Sequence, residues 1–242
     1  MKSKIIGVII LSLLSLTITA CSADKGSTSA TENSNANMSK NNTQTATDQN
    51  NPVEKAMALV APYQPILLNK DKFIDACDGT NKLFEEFLNQ RNSHGKMFST
   101  TKFAVLDMDG DKMPEVVVKL ITNNTLQYYA ILHYMNDKVY GYITEDSMFR
   151  WLLVDGTFAW STNSPNRSGV GKPIFKTDGY EINNLYHQNL VDGKWECFIG
   201  DKSVPKEYYD TLVEEHFSKK NIYWYDCYPD KISTMHRILL ES

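Results

Sequence analysis

Asp107, Asp109 and Asp111 stand at alternate positions, and Glu115 follows four residues after the last of them. Carboxylates crowded to about 4 Å repel by about 4 kcal/mol per pair at an effective dielectric near 20, so four acids at this spacing favour a hard divalent cation. Calcium is the ion expected: alternate side chains converge on one centre while the backbone turns, and a final acid closes the shell from the far side. The alternative is a metal-free Asp-Gly hairpin with solvated acids.

The first three aspartates match positions one, three and five of an EF-hand loop, which then requires Gly at six and Glu at twelve. Lys112 and Val118 occupy those positions, and Pro114-Glu115-Val116-Val117-Val118 is strand-like where an EF-hand begins a helix. Acids at one, three, five and nine instead resemble the strand-loop-strand calcium site of FG-GAP or integrin-like repeats. That resemblance implies Asp107, Asp109, Asp111 and Glu115 as ligands, with the carbonyl of Met113 at position seven. The chain departs from it at Lys112, where those repeats carry Gly, and Gly110 sits two residues earlier. A single copy excludes a propeller of such repeats.

The longer pattern D-x-D-G-D-x-x-P-E at 107–115 is accompanied by Asp155-Gly156-Thr157-Phe158, Val204-Pro205-Lys206-Glu207-Tyr208-Tyr209 and Trp224-Tyr225. Together these resemble a widespread group of uncharacterised lipoproteins of low-GC Gram-positive bacteria over residues 53–242. The resemblance implies an exported, anchored protein and brings no reaction or ligand with it.

Other chemistry is weakly supported. His94, His133, His187, His216 and His236 are dispersed, without HExxH or a cysteine spacing for zinc. Gly169-Val170-Gly171-Lys172 lacks the phosphate-loop frame and reads as a turn before a strand, and no GxSxG elbow occurs. A thiol mechanism could be drawn from Cys197 or Cys227 with His216 or His236, but packing explains these residues more simply. Tyr128, Tyr129, Tyr134, Tyr140, Tyr142, Trp151, Trp160 and Trp195 could stack on the sugar rings of a wall polymer, although cross-strand packing is the plainer account.

The chain's first residues set its expected location. Lys2 and Lys4 precede an apolar run from Ile5 to Ala20, the layout of a signal peptide over 1–20. A retained membrane helix would want about 20 apolar residues with flanking anchors. The run resembles a bacterial lipoprotein signal, which implies a lipobox around Ile18 to Cys21, lipidation of Cys21 and cleavage before it. Two acyl chains at about 0.8 kcal/mol per buried methylene hold stably to a bilayer. Residues 22–51 are almost wholly Ser, Thr, Asn, Ala, Gln, Lys, Asp and Glu, so residues 21–52 read as a lipidated cysteine and a disordered tether. Without Lys2 and Lys4 the balance is 23 basic against 29 acidic residues, net -6, and no basic stripe remains for nucleic acid. Cys77, Cys197 and Cys227 can close one disulfide at most, with Cys197 and Cys227 the first pairing to test and three buried thiols the alternative.

Residues 53–242 suit one domain. Apolar spacing predicts helices over 53–60, 66–76, 82–90, about 205–219 and 230–240, with Asp78-Gly79-Thr80 ending one and capping the next. Between them the period changes to two, and Asp109-Gly110, Asn136-Asp137, Asp155-Gly156, Asp178-Gly179 and Asp192-Gly193 punctuate it as tight turns. Strands are predicted over 102–106, 115–122, 126–134, 138–144, 149–154, 157–161, 173–176, 180–186 and 194–199. The expected fold is α+β: an antiparallel β-meander sheet flanked by N-terminal and C-terminal helices. The expected function is a calcium-stabilised binding module at the outer face of the bacterial cytoplasmic membrane. Its partners are the lipid bilayer through Cys21 and a cell-wall polymer or another surface protein. The alternatives are a small cell-wall-directed hydrolase with structural calcium and, less suited to the domain's size, a solute-binding lipoprotein.

Overall fold

The computed structural model describes residues 52–90, 98–122, 127–162 and 166–241. The signal segment, Cys21, the tether up to residue 51, His94 and Leu126 lie outside them. Pro52, the last residue of the expected tether, already opens a helix.

Helices α1 (Pro52–Val60) and α2 (Gln64–Leu67) lead into short strands β1 (Phe73–Asp75) and β2 (Asn81–Lys82), then α3 (Phe84–Gln90). Strands β3 (Phe98–Leu106), β4 (Glu115–Thr122), β5 (Gln127–Met135) and β6 (Lys138–Glu145) follow, and a 3-10 turn, Asp146–Met148, leaves the last. Next come β7 (Phe158–Ser161), β8 (Arg167–Lys176), β9 (Gly179–Val191), β10 (Lys194–Ile199) and β11 (Lys202–Val204). The chain closes with α4 (Lys206–Phe217), β12 (Tyr225–Asp226), α5 (Pro229–Ser233) and α6 (Met235–Glu241).

The expected single meander is two sheets. A seven-stranded sheet runs β12-β3-β4-β5-β6-β1-β2, and a five-stranded sheet runs β11-β10-β9-β8-β7. All pairings are antiparallel except β1 with β6, which is parallel and makes the larger sheet mixed. Tight turns set much of the register. Asn136 and Asp137 both take positive φ, as do Asp192 and Gly193, the geometry of two-residue hairpins whose twist matches the strands they join. At β8 to β9 the turn shifts by one residue, because Gly179 pairs with Lys176.

Strand β4 explains the layering. Val116, Val117, Val118 and Leu120 are wholly buried, so neither face of the strand meets water between Glu115 and Val118. Val116, Val118 and Leu120 join a core with Phe103, Val105 and Leu132, to which Val60, Tyr63, Phe84, Phe87, Ile232 and Met235 also belong. Val117 and Ile131 face a second core with Tyr129, Tyr140, Tyr142, Phe149, Phe158 and Trp160. Full burial of one such side chain contributes about 1.5–3 kcal/mol, so these paired cores dominate the stability of the sheet.

Several local expectations fail for tertiary reasons. The helix over 66–76 stops at Leu67, and Phe73–Asp75 is a strand whose Phe73 ring lies over Gly141 where any side chain would collide. Asp78-Gly79-Thr80 turns β1 into β2, with Lys82 bridging Asp75 and Asp78 at 2.6 Å each. The strand over 149–154 is absent: Trp151 has φ +51°, and only isolated bridges tie the segment to Ala159 and Asn221. The last helix breaks at Thr234, and Gly169 to Lys172 lies inside β8 instead of forming a turn.

Candidate metal centre

The acidic loop joins β3 to β4, whose last pair is Leu106 with Glu115. Its carboxylates first organise its own backbone. Asp107 accepts the N–H of Gly110 on Oδ1 at 2.7 Å and that of Lys112 on Oδ2 at 3.1 Å. Asp109 Oδ1 accepts from Asp111 N–H at 3.1 Å, and Asp111 Oδ1 from Met113 N–H at 2.7 Å. These are the side-chain-to-backbone bonds that let Asp form turns without a ladder partner. Gly110 at φ +92° fits the turn, whereas Lys112 at +73° adopts the left-handed conformation at some steric cost.

Glu115 closes the loop from below. It is wholly buried, accepts Met108 N–H on Oε2 at 2.6 Å and holds His133 Nδ1 on Oε1 at 2.8 Å. His133 is stacked on Phe175, ring centres 4.3 Å apart, which fixes the imidazole plane. From across the core, the turn after Trp151 supports the loop. A Cβ on Gly156 would fall 2.5 Å from Met108 Cα, and Gly156 also has φ +78°, so glycine is required there twice over.

Oxygens of Asp107, Asp109 and Glu115 lie within 4.8 Å of one another, and so do ligand atoms of Asp109, Asp111 and His133. Asp109 and Asp111 each keep one oxygen without a hydrogen bond among the described residues. Every carboxylate oxygen has two lone pairs, so a bond to the backbone and a bond to an ion coexist. The all-oxygen group suits calcium or magnesium, and the group containing imidazole suits manganese or zinc. The donors therefore fit a divalent cation without selecting one.

The electrostatics agree in sign. Burial pushes the Glu115 carboxyl up to about 7, against the hydrogen bonds from His133 and Met108. Burial also raises Asp109, helped by the charges of Asp111 and Asp107 and opposed by the Asp111 N–H. Tyr63 is raised by burial and then by the charge of Glu115. A positive ion at the loop would oppose the rise at Asp109 and Glu115 by favouring their charged forms.

No known protein family, curated protein or solved structure matches this chain. Function has to be read from the site.

His133 was the residue missed by sequence reasoning, which took the histidines as dispersed. It lies opposite Glu115 one step beyond the Val116–Leu132 pair, so the β4–β5 register was the signal that could have found it. Met113 enters the loop through its N–H.

A second polar cluster mimics catalytic geometry and does other work. Thr157 Oγ1 lies 2.8 Å from His216 Nε2 and donates to Asp155 Oδ1 at 2.5 Å. Lys219 Nζ donates to Asp155 Oδ2 at 2.8 Å and approaches His216 Nδ1 at 3.3 Å. With Lys219 donating to Nδ1, the His216 proton sits on Nε2 and points at Thr157, so the imidazole cannot take the threonine's proton. Burial and then Lys219 hold His216 below its ordinary range. Burial opposes the charge of Asp155, but Lys219 and Thr157 overcome it and bring the carboxyl down to about 2. The cluster clamps the Asp155-Gly156 turn to α4, and through Gly156 it steadies the acidic loop.

Cys77, Cys197 and Cys227 are free thiols, so the Cys197–Cys227 disulfide does not form, and Cys77 is exposed where three buried thiols were the alternative. Among the described residues no helix is long and apolar enough to cross a membrane.

Proposed function

We propose that the chain is an exported lipoprotein, held through lipidated Cys21 at the outer face of the bacterial cytoplasmic membrane. Its domain is a calcium-stabilised binding module for a cell-wall polymer or another surface protein. One observation carries the metal: the Asp107, Asp109 and Glu115 oxygens converge within 4.8 Å, with the carboxyl of Glu115 raised in pKa by its burial. Asp111 and the carbonyl of Met113 complete the proposed shell. Calcium here is a fastener, neutralising the loop and pinning the turn between β3 and β4. We also propose that the helices at the two ends of the domain cover one face of the seven-stranded sheet. The core that Val60, Phe87 and Met235 share with Val116 and Leu132 supports that arrangement.

Thermal melts of the wild type and of Asp107→Ala with Asp109→Ala, in calcium, magnesium, manganese, zinc and chelator, test the metal. Calcium should raise the wild-type Tm most and leave the double variant unmoved. A wild-type Tm indifferent to every ion would end the metal reading. Membrane fractionation of Cys21→Ser tests the anchor: the variant should leave the membrane fraction.

A further inference from the structure

Between β4, β5, the 3-10 turn at Asp146 and residues 221–224 lies a cleft of about 550 Å³. Sites for small ligands commonly measure about 300–1,000 Å³. Its floor is aromatic and cationic. Tyr129 and Trp224 have ring centres 5.9 Å apart, and Lys119 Nζ sits 5.1 Å from the Trp224 ring and 5.8 Å from that of Tyr129. Lys119 pairs with no carboxylate among the described residues. One wall carries Asp146, which accepts from Tyr129 Oη at 3.2 Å and from Arg150 Nε at 3.1 Å.

Trp151 forms the rim. Its indole is 65 % exposed and touches Phe217 edge-on at 5.3 Å, while its neighbour Leu152 is 5 % exposed. Its φ of +51° is rare for so bulky a residue, and such strain concentrates at binding sites. A smaller cavity of about 250 Å³ shares Arg150 and Trp151, and Gln188 on its lining has a buried Oε1 with no hydrogen-bond partner among the described residues. Trp151 therefore stands between two hollows, each with polar walls.

We propose that this cleft binds a carbohydrate bearing an acidic group, with Trp151 as the stacking surface and Lys119 as the counter-charge. One face of a pyranose ring is a sheet of C–H bonds that packs on an indole, and its rim of hydroxyls both donates and accepts. Asp146, Arg150 and Asn221 meet those needs. Lys119 and Arg150 against Asp146 give the cleft a net positive charge in a chain of formal net charge -4. A peptide is the poorer fit, because β4 and β5 are each paired on both sides and offer no free edge to an added strand. The assignment rests on the reading of the domain as a binding module and is independent of the metal.

The test is a tryptophan-fluorescence and calorimetric titration of the full chain in detergent. The probes are oligogalacturonate, soluble acidic wall glycan, neutral cellotetraose and a glutamate tetrapeptide. The acidic glycans should bind best. Trp151→Ala should weaken them about tenfold, the loss of one ring contact, with Trp151→Phe recovering part. Lys119→Met should bring the acidic glycans to the level of the neutral one. Trp151 is exposed, so its variants report even if Lys119→Met misfolds. Failure of every acidic glycan to bind, equal binding of the tetrapeptide, or wild-type affinity in Trp151→Ala would overturn the proposal. Melts of the same samples in calcium and chelator report the metal separately. Intact glycan binding with a calcium-indifferent Tm removes the calcium reading alone, and the converse removes this site alone.

Discussion

Asp109→Asn removes a charge from the acidic loop while keeping its shape, because an amide oxygen can accept the Asp111 N–H as Asp109 Oδ1 does at 3.1 Å. At the 4.8 Å that bounds the ligand oxygens, an ionised pair repels by about 3.5 kcal/mol at an effective dielectric near 20. Asp107 and Asp109 are half-buried, and solvent screening leaves about 1 kcal/mol of that to be relieved. For a domain of this size the variant's Tm without metal should therefore rise by about 2–4 °C. Calcium at one hundred times its Kd adds about 2.7 kcal/mol to the wild type, a rise of about 5–10 °C. In the variant that rise should nearly vanish, since a neutral amide replaces a ligand whose charge faces the ion. Scanning calorimetry at pH 7.5, in chelator and in millimolar calcium, reads both effects. The two effects have opposite signs, which a general loss of structure cannot produce. The reasoning is refuted if the metal-free Tm falls by several degrees while the calcium rise persists, for the carboxylate would then be a turn-former only.

Gly156→Ala places a methyl 2.5 Å from Met108 Cα at a φ of +78°, so it should cost about 3 kcal/mol and show as a lower urea midpoint. An unchanged midpoint would mean that the Asp155-Gly156 turn does not support the acidic loop. Asp155 has its carboxyl at about 2, below the ordinary 3.8, so its contribution is complete above about pH 4 and lost as pH falls through 2. Asp155→Asn should cost about 1 kcal/mol near pH 6 after screening at this partly exposed site. The gap from wild type should close by pH 2, and a gap that stays constant with pH would exclude the Lys219 ion pair as its source.

Much of the candidate site was legible before folding. Asp107 to Pro114 form one loop between two strands, with Glu115 opening the second, because alternate acids and an Asp-Gly step can do little else locally. The hairpins at Asn136-Asp137 and Asp192-Gly193 were equally plain, since positive φ is a property of those residues themselves. Strand β4 ends at the residues expected because its apolar run is bounded by Pro114. Residues 66–76 were misread because Phe73 packs on Gly141, a partner nearly seventy positions away that no periodicity reports.

Sequence by itself determined the acidic loop, the turns and the alternation of the strands, since these depend on side chains within a few residues of one another. Only the tertiary structure divided the strands into two sheets, set His133 against Glu115 and turned Trp151 outward beside Trp224 and Lys119. Each of those outcomes depends on register and on which buried face finds which partner, and alternation records that a face is buried without recording against what.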